Sequence, residues 1–485
     1  MILDKINSVY FLGIGGIGMS ALARFFLLQK KQVYGYDLTP TEITAQLMDE
    51  GAQIHFDEAP NKIPPLIDLA VYTPAIPKNH QEYQYFIDNN IPLLKRSEVL
   101  GLICNNYPTI AVAGTHGKTT TTAVLTQILN NPTELQIPPN NNTHYSLLTT
   151  HYSRILAFIG GISKNLNSNF VCEPEFDTVV VEADEFDRSF LTLHPQVAII
   201  TSIDADHLDI YGNLEHLITS FQLFANQIQP DGTLVIYDEI AHQITHPLKI
   251  TYGFSDKTHY QITNIKYHPV KTTFSLTINH LPLTTNHLSL IVNLPGKHNV
   301  LNAVAALAAC LEFSLWKCGK EDLALSLPTY IENLTRFSGV KRRFDIRIQQ
   351  DNFVYIDDYA HHPEEIRAFL DAVKKSYPTK TITGIFQPHL YSRTRDFAQE
   401  FADALEVLDE IILLPIYPAR EKPIEGITSD YLLSFIKNSN KKLFTKEELI
   451  TYLPKNKPEV LVTMGAGDID KMVKEIETIL FLQPL

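Results

Sequence analysis

Ile110-Ala111-Val112-Ala113-Gly114-Thr115-His116-Gly117-Lys118-Thr119-Thr120-Thr121-Thr122 decides how the rest of this chain is read. Its apolar start (109–113) has the look of a buried parallel strand. Residues 114–118 have loop composition, and 119–129 carry Ala123, Leu125 and Leu129 at helical spacing. Strand, glycine loop and helix N-terminus together make a phosphate cradle, because exposed N–H groups and the positive end of the helix dipole both face the anion. Gly114, Thr115, His116, Gly117 and Thr120 would line it, Lys118 would reach the terminal phosphates, and the Thr119 hydroxyl could sit on Mg²⁺. A strict phosphate-loop pattern has glycine five positions before Gly117, where this chain has Val112. The reading is an ATP site.

Two further runs support it. Residues 177–182 form a β-branched stretch that ends in Glu182-Ala183-Asp184-Glu185, and residues 196–202 repeat the design and run into Asp204, Asp206, His207 and Asp209. Continuous apolar runs of this kind are strands buried on both faces, and α/β proteins place ligands at the carboxyl ends of such strands. Lys118, Thr119, Glu182 and His207 are therefore expected on one rim, with oxygen ligands suited to Mg²⁺.

Upstream, a short apolar strand (8–12) leads into Gly13-Ile14-Gly15-Gly16-Ile17-Gly18-Met19-Ser20 and a helical run to about Leu28. A second strand (33–36) then ends at Asp37. This is a Rossmann layout with a carboxylate about twenty residues past the glycines. Such a loop takes a diphosphate, of NAD or of a UDP-sugar, and Asp37 either binds a ribose or caps the loop before Thr39. Residues 131–151, rich in Asn, Pro and Thr, read as a surface loop, and 155–169 as a loop that could approach substrate. Asn299 and Asn302 open an Ala-rich helix, as caps or as contacts to an adenine edge. Near the end, Arg342 and Arg343, then Asp357-Asp358-Tyr359-Ala360-His361-His362-Pro363, His389, Arg393 and Arg395 fall at strand ends of a second, smaller α/β sheet. His361 and His362, being adjacent, point apart and make a poor shared metal site.

At 485 residues the chain has room for about three domains. A net charge of −14 without a Lys/Arg block excludes non-specific nucleic-acid binding. Four scattered cysteines read as free thiols in a reducing compartment. The apolar start is broken by four glycines and carries Arg24, unlike a signal peptide, so a cytoplasmic protein without membrane insertion is expected.

Taken in order, the glycine-rich opening, Gly114-Thr-His-Gly-Lys-Thr-Thr, Glu182-Ala-Asp-Glu, Asp206-His-Leu-Asp, Gly296-Lys-His-Asn, Arg342-Arg-Phe-Asp, Asp357-Asp-Tyr-Ala-His-His-Pro and Gln387-Pro-His resemble the Mur ligases over nearly the whole chain. That family's variant of the phosphate loop also accounts for Val112. The resemblance implies an α/β enzyme of three domains. These are a Rossmann-like UDP-sugar domain (1–106), a central P-loop ATPase-type domain for ATP and Mg²⁺ (107–334) and a smaller Rossmann-like domain for the amino acid (335–485). It implies ligation of L-alanine to the carboxylate of UDP-N-acetylmuramate through an acyl phosphate, in peptidoglycan precursor synthesis. Lys118 would bind phosphates, Thr119 and Glu182 one Mg²⁺, and His207 a second. Asn299 and Asn302 would lie near adenine, with Arg342 or Arg343 on the phosphates. Gly13, Gly15, Gly16, Ile17, Gly18, Met19, Ser20 and Asp37 would hold the UDP-sugar, and Tyr359, His389 and Arg393 the amino acid. Leu390 stands where many relatives carry Arg, and the acceptor stays open among alanine, serine and glycine. A monomer or homodimer is expected. The alternatives are a sibling ligase that salvages a tripeptide, an NAD-dependent dehydrogenase with an attached ATP module, and a non-catalytic nucleotide sensor.

Overall fold

A computed structural model describes residues 3–130, 153–204, 208–281, 286–419 and 421–481. The surface-loop reading of 131–151, and Asp206 and His207, lie outside the described residues.

Among the described residues, three sheets organise the fold. The first has five parallel strands in the order Gln53–His55, Gln32–Tyr36, Ser8–Leu12, Leu69–Tyr72 and Leu93–Lys95. Ser8–Leu12 is buried at every position, as its unbroken apolar run requires. The strand order reverses around it, so the glycine loop that follows opens at a topological switch point.

The second sheet has ten strands. At its centre Thr109–Ala113 lies between Val197–Ile200 and Thr178–Glu182, all parallel. The three buried strands therefore deliver their carboxyl ends to one edge. Val112 pairs with Glu182 and Ala113 with Ile200, so the phosphate loop leaves the sheet between the two acidic segments. The far edge is an antiparallel hairpin of Ile155–Ser163 and Ser168–Cys172, where the sequence reading had a loop. The run Ile155–Ile159 is apolar enough to pair with Thr178–Glu182, and Gly160 and Gly161 fall inside the strand, where the register shifts.

The third sheet has six strands, with Val354–Asp358, Val460–Met464, Ile382–Phe386 and Glu410–Leu413 parallel at its centre. The chain forms two compact units. One contains Met1–Thr263, Leu276–Leu288 and Leu301–Phe337, and the other contains Asn264–Ser275, Ser289–Val300 and Ser338–Leu485. Within the first unit one apolar core joins the five-stranded and ten-stranded sheets, running from Phe11 and Phe26 to Phe158 and Val181.

Helix Lys297–Cys318 is long and apolar enough to cross a membrane, but 83% of that stretch is buried, which makes it a core helix. Its alanines, among them Ala303, Ala306 and Ala309, are fully covered, as close helix packing demands. The four cysteines form no disulfide.

Candidate functional site

The phosphate loop is shaped by two glycines. Gly114 (φ +135°) and Gly117 (φ +83°) adopt backbone conformations that a side chain disfavours, and Gly117 is the N-cap of helix Lys118–Leu129. A β-carbon at Gly117 would also lie 2.5 Å from Asn302 Oδ1, so the buried Asn302 packs directly on the loop. The neighbouring strand end holds the loop in place. Thr115 N donates to Ser202 O (3.1 Å), His116 N to Ser202 Oγ (2.8 Å), and Thr201 Oγ1 to His116 O (2.5 Å). Asp204 N donates to Thr115 Oγ1 (3.0 Å), and His116 Nε2 lies 3.7 Å from Asp204 Oδ2. Thr119 and Thr120 are buried in the first helical turn.

Lys118 bends back over this loop. Its Nζ donates to Gly114 O (2.7 Å) and to Glu185 Oε1 (2.8 Å), with Glu185 Oε2 at 2.7 Å. Burial opposes the charge on Lys118, but Glu185, Asp184 and Glu182 outweigh it and hold the ammonium above the ordinary lysine value. Burial pushes Glu185 up to about 7 against the downward pull of Lys118. Tyr211 Oη donates to Glu185 O (2.5 Å) and fixes that turn. Glu182, at its strand end, accepts from Gly160 N (3.0 Å), and a β-carbon at 160 would overlap its carboxylate. Lys118, Thr119 and Glu182 thus follow adjacent strands on one edge. His207 is outside the described residues, and among those described no three His, Cys, Asp or Glu side chains gather as a ready-made metal cluster.

The glycine-rich loop has a different brace. Gly13 N and Ile14 N both donate to Tyr36 O, at 2.8 and 3.0 Å. Gly13 has φ +86°, and Gly16 is the N-cap of helix Ile17–Leu28. Asp37 accepts from Gly15 N (2.8 Å) and Thr39 N (3.2 Å), so its carboxylate is tied to the loop it follows. Met19 and Ser20 are buried in the first turn. Against Gly18 lies Arg96: a β-carbon there would be 2.9 Å from Arg96 Nη1. Arg96 Nη2 in turn pairs with Asp184 Oδ2 at 3.5 Å.

In the second unit, Arg342 (φ +62°) is a half-buried brace. Its Nε donates to Asp357 Oδ2 (3.0 Å) and its Nη2 to Gly465 O (2.6 Å). Burial raises Asp357, while Arg342 pulls the other way. Arg343 is more exposed and lies 3.7 Å from Glu365. Both guanidinium groups approach the Tyr359 ring, at 5.3 and 5.1 Å from its centroid. Tyr359 meets His361 edge-on, His361 meets His389, and His389 stacks on Tyr417. His361 turns to Glu365 and His362 to Phe397, so the adjacent histidines diverge. Arg393 sits half-buried in the short helix Tyr391–Asp396, entered through Leu390 at φ +71°. Asn299 Nδ2 donates to Pro295 O (2.6 Å) at the start of its own helix.

Sequence reasoning missed Glu185 as the partner of Lys118, Arg96 as a cation beside Gly18, and Thr201, Ser202 and Asp204 as the loop's supports. Glu185 had a signal, being an acid that follows a buried strand three residues past Glu182.

Family profiles match the chain in three stretches. These are the Mur ligase family catalytic domain over residues 8–108, the Mur ligase middle domain over 112–310 and the Mur ligase glutamate ligase domain over 342–467. The UDP-N-acetylmuramate–L-alanine ligase of Flavobacterium psychrophilum is 45% identical over 482 residues, covering 98% of this chain and 99% of that protein. The ligase of the same name from Christiangramia forsetii is 42% identical, covering 98% of both. Among solved structures, the UDP-N-acetylmuramate–alanine ligase of Thermotoga maritima has a TM-score of 0.76 at 28% identity, covering 98% of this chain and 99% of that one. A murein peptide ligase from Psychrobacter arcticus shares the fold, with a TM-score of 0.66 at 21% identity and 99% of both chains covered. From its first strand to its last sheet, this chain belongs to the Mur ligase family.

Proposed function

We propose that this protein is an ADP-forming ligase that joins L-alanine to the carboxylate of UDP-N-acetylmuramate in peptidoglycan precursor synthesis. The observation that carries the reading is the convergence of Lys118 and Glu182 on one sheet edge, in the same compact unit as the glycine loop braced by Asp37. Identities of 42–45% across whole chains to proteins of that name supply the substrates.

In this reading the loop residues Gly114, Thr115, His116 and Gly117 and the first helical turn at Thr120 cradle the ATP phosphates, with Thr115 N and His116 N anchoring the loop to Ser202, and Lys118 neutralises the phosphate charge. Thr119 and Glu182 offer hard oxygen donors that suit Mg²⁺, and Gly160 keeps the space against the Glu182 carboxylate clear of a side chain. When bound, magnesium supplies positive charge against the triphosphate, and His207 is assigned to a second ion. The sugar-linked carboxylate attacks the γ-phosphorus and ADP leaves. The alanine amine then attacks the acyl carbon and expels phosphate. Two anions meeting at 4 Å repel by about 4 kcal/mol per pair of charges at an effective dielectric of 20, so the charge on Lys118 and the helix N-terminus matter more than a general base. Gly13, Gly15, Gly16, Ile17, Gly18, Met19 and Ser20 hold the UDP-sugar, with Asp37 bracing the loop. On the resemblance of their motifs we assign Asn299 and Asn302 to the adenine, Arg342 or Arg343 to phosphate, and Tyr359, His389 and Arg393 to the amino acid. The domain division at 106 and 334 follows the same reading, as does action in the cytoplasm by a monomer or homodimer.

The test is phosphate release from ATP and Mg²⁺ with UDP-N-acetylmuramate, varying alanine, serine, glycine and a tripeptide one at a time. Release that requires both the sugar nucleotide and alanine is expected. Preference for the tripeptide would move the protein to the salvage branch, and saturable NADH binding without phosphate release would support the dehydrogenase alternative.

A further inference from the structure

Asn169 stands in the ten-stranded sheet, on the outer strand Ser168–Cys172, yet its amide reaches into the five-stranded module. Oδ1 accepts from Arg24 Nη1 at 2.6 Å, while Nδ2 donates to Ile17 O at 2.5 Å and to Ser20 Oγ at 3.1 Å. Asn169 and Ser20 are fully buried, and Arg24 is 7% exposed. The amide orientation is forced, because its acceptor faces a guanidinium and its donors face a carbonyl and a hydroxyl. Arg24 is itself held by both oxygens of Glu50, at 3.0 and 2.9 Å, and by Gln46. Ile17 and Ser20 lie in the first turn of the helix that opens on the glycine loop.

The same turn is gripped from another side. Arg96 packs on Gly18 and pairs with Asp184, inside the acidic segment that runs from Glu182 to Glu185. The partner strand in Asn169's hairpin, Ile155–Ser163, carries Gly160, whose N–H is on Glu182. The amide bridge of Asn169 and the packing of Arg96 therefore connect the turn at the glycine loop with the strands and segment around the Mg²⁺-candidate carboxylate, and the apolar core beneath them is continuous.

We infer that Asn169 is a positioning residue that locks the first turn of the sugar-nucleotide helix onto the ATP module and so sets the spacing between the sugar-linked carboxylate and the triphosphate. The inference rests on the ligase reading. Catalysis between two bound substrates depends on their alignment, and a misplacement of about 1 Å from a remote change costs roughly 100-fold in rate. A residue that only stabilised the fold would lower the melting temperature and leave the kinetic constants of the folded enzyme intact.

The experiment compares wild type with Asn169→Asp in the full-length enzyme. This substitution keeps shape and the bond to Arg24 but removes both donors. At saturating ATP and alanine, kcat is expected to fall 10- to 100-fold and KM for UDP-N-acetylmuramate to rise severalfold. ATP affinity, measured by calorimetry without the sugar nucleotide, stays within twofold. If Asn169→Asp fails to fold, Asn169→Ser, which withdraws the amide from Ile17 O and Arg24 without adding a charge, is expected to show the same split at two- to fivefold. Constants within twofold of wild type in the folded variant, or a loss of ATP affinity equal to the loss of rate, would overturn the inference. A wild-type enzyme inactive with UDP-N-acetylmuramate and every amino acid overturns the ligase reading, and the assigned spacing falls with it. An active wild type with an unaffected variant removes only the role of Asn169.

Discussion

Lys118 and Glu185 form a buried ion pair across 67 residues of chain, with Nζ 2.7 Å from one carboxylate oxygen and 2.8 Å from the other. The pair places the loop's cation at the carboxyl edge of the sheet and leaves Glu185 dependent on it. Lys118→Ala is expected to lower turnover by two or more orders of magnitude while UDP-sugar binding stays nearly intact, as steady-state kinetics and calorimetry would show. Breaking one side of a buried pair costs about 3–5 kcal/mol when the remaining charge is stranded. Glu185→Gln added to Lys118→Ala should therefore recover stability in urea unfolding. A double variant less stable than the single one would contradict the pairing.

Gly160 lies where any β-carbon meets the Glu182 carboxylate. Gly160→Ala should displace that carboxylate, raise the Mg²⁺ concentration for half-maximal activity and lower turnover about tenfold, a loss of about 1.4 kcal/mol in transition-state stabilisation. A magnesium titration at saturating ATP decides it, and an unchanged midpoint would remove Glu182 from the metal site.

Gly18 abuts the end of the Arg96 side chain, which can move more readily than backbone. Gly18→Ala should fold normally and raise KM for the sugar nucleotide three- to tenfold, roughly 0.7–1.4 kcal/mol. ATP affinity should not change. A shift in ATP affinity alone would place Arg96 at the wrong site.

His298 in the second unit is held down to about 4 by burial, with Asp371 opposing and Arg343 reinforcing the shift. A histidine with a depressed value stays neutral in the fold and gains a proton on unfolding. Its contribution to stability is therefore complete above about pH 6.5 and is lost as pH falls toward 4. Replacing it with Gln should flatten the melting temperature across that window, removing about 1–3 kcal/mol of pH dependence. An unaltered acid limb would count against the burial of this ring.

Much of this arrangement was legible in the sequence because it is local. The run 109–113 is the strand Thr109–Ala113, and the helix begins at Lys118, one residue earlier than its apolar spacing indicates, because Gly117 caps it with a left-handed backbone. The convergence of three strand ends followed from three short, buried strand-forming runs. What could not be read depends on distant partners. Asn169 looks like a loop residue until Ile17 and Ser20, 152 and 149 positions away, are brought to it. Asp37 has the same spacing whether it binds a ribose or braces a loop, and only the bonds from Gly15 N and Thr39 N reveal the brace. Of the two arginines at 342 and 343, sequence offers no way to see that the first is tied to Asp357 and Gly465.

The central claim is that a sugar-linked carboxylate and a triphosphate react directly on one sheet edge. It is tested most directly by labelling both carboxylate oxygens of UDP-N-acetylmuramate with ¹⁸O and reading the phosphate released during alanine ligation by mass spectrometry. The account predicts one ¹⁸O in each phosphate, because the oxygen that attacks phosphorus leaves with it when the amine takes the carbonyl. Unlabelled phosphate accompanying full ligation would contradict it.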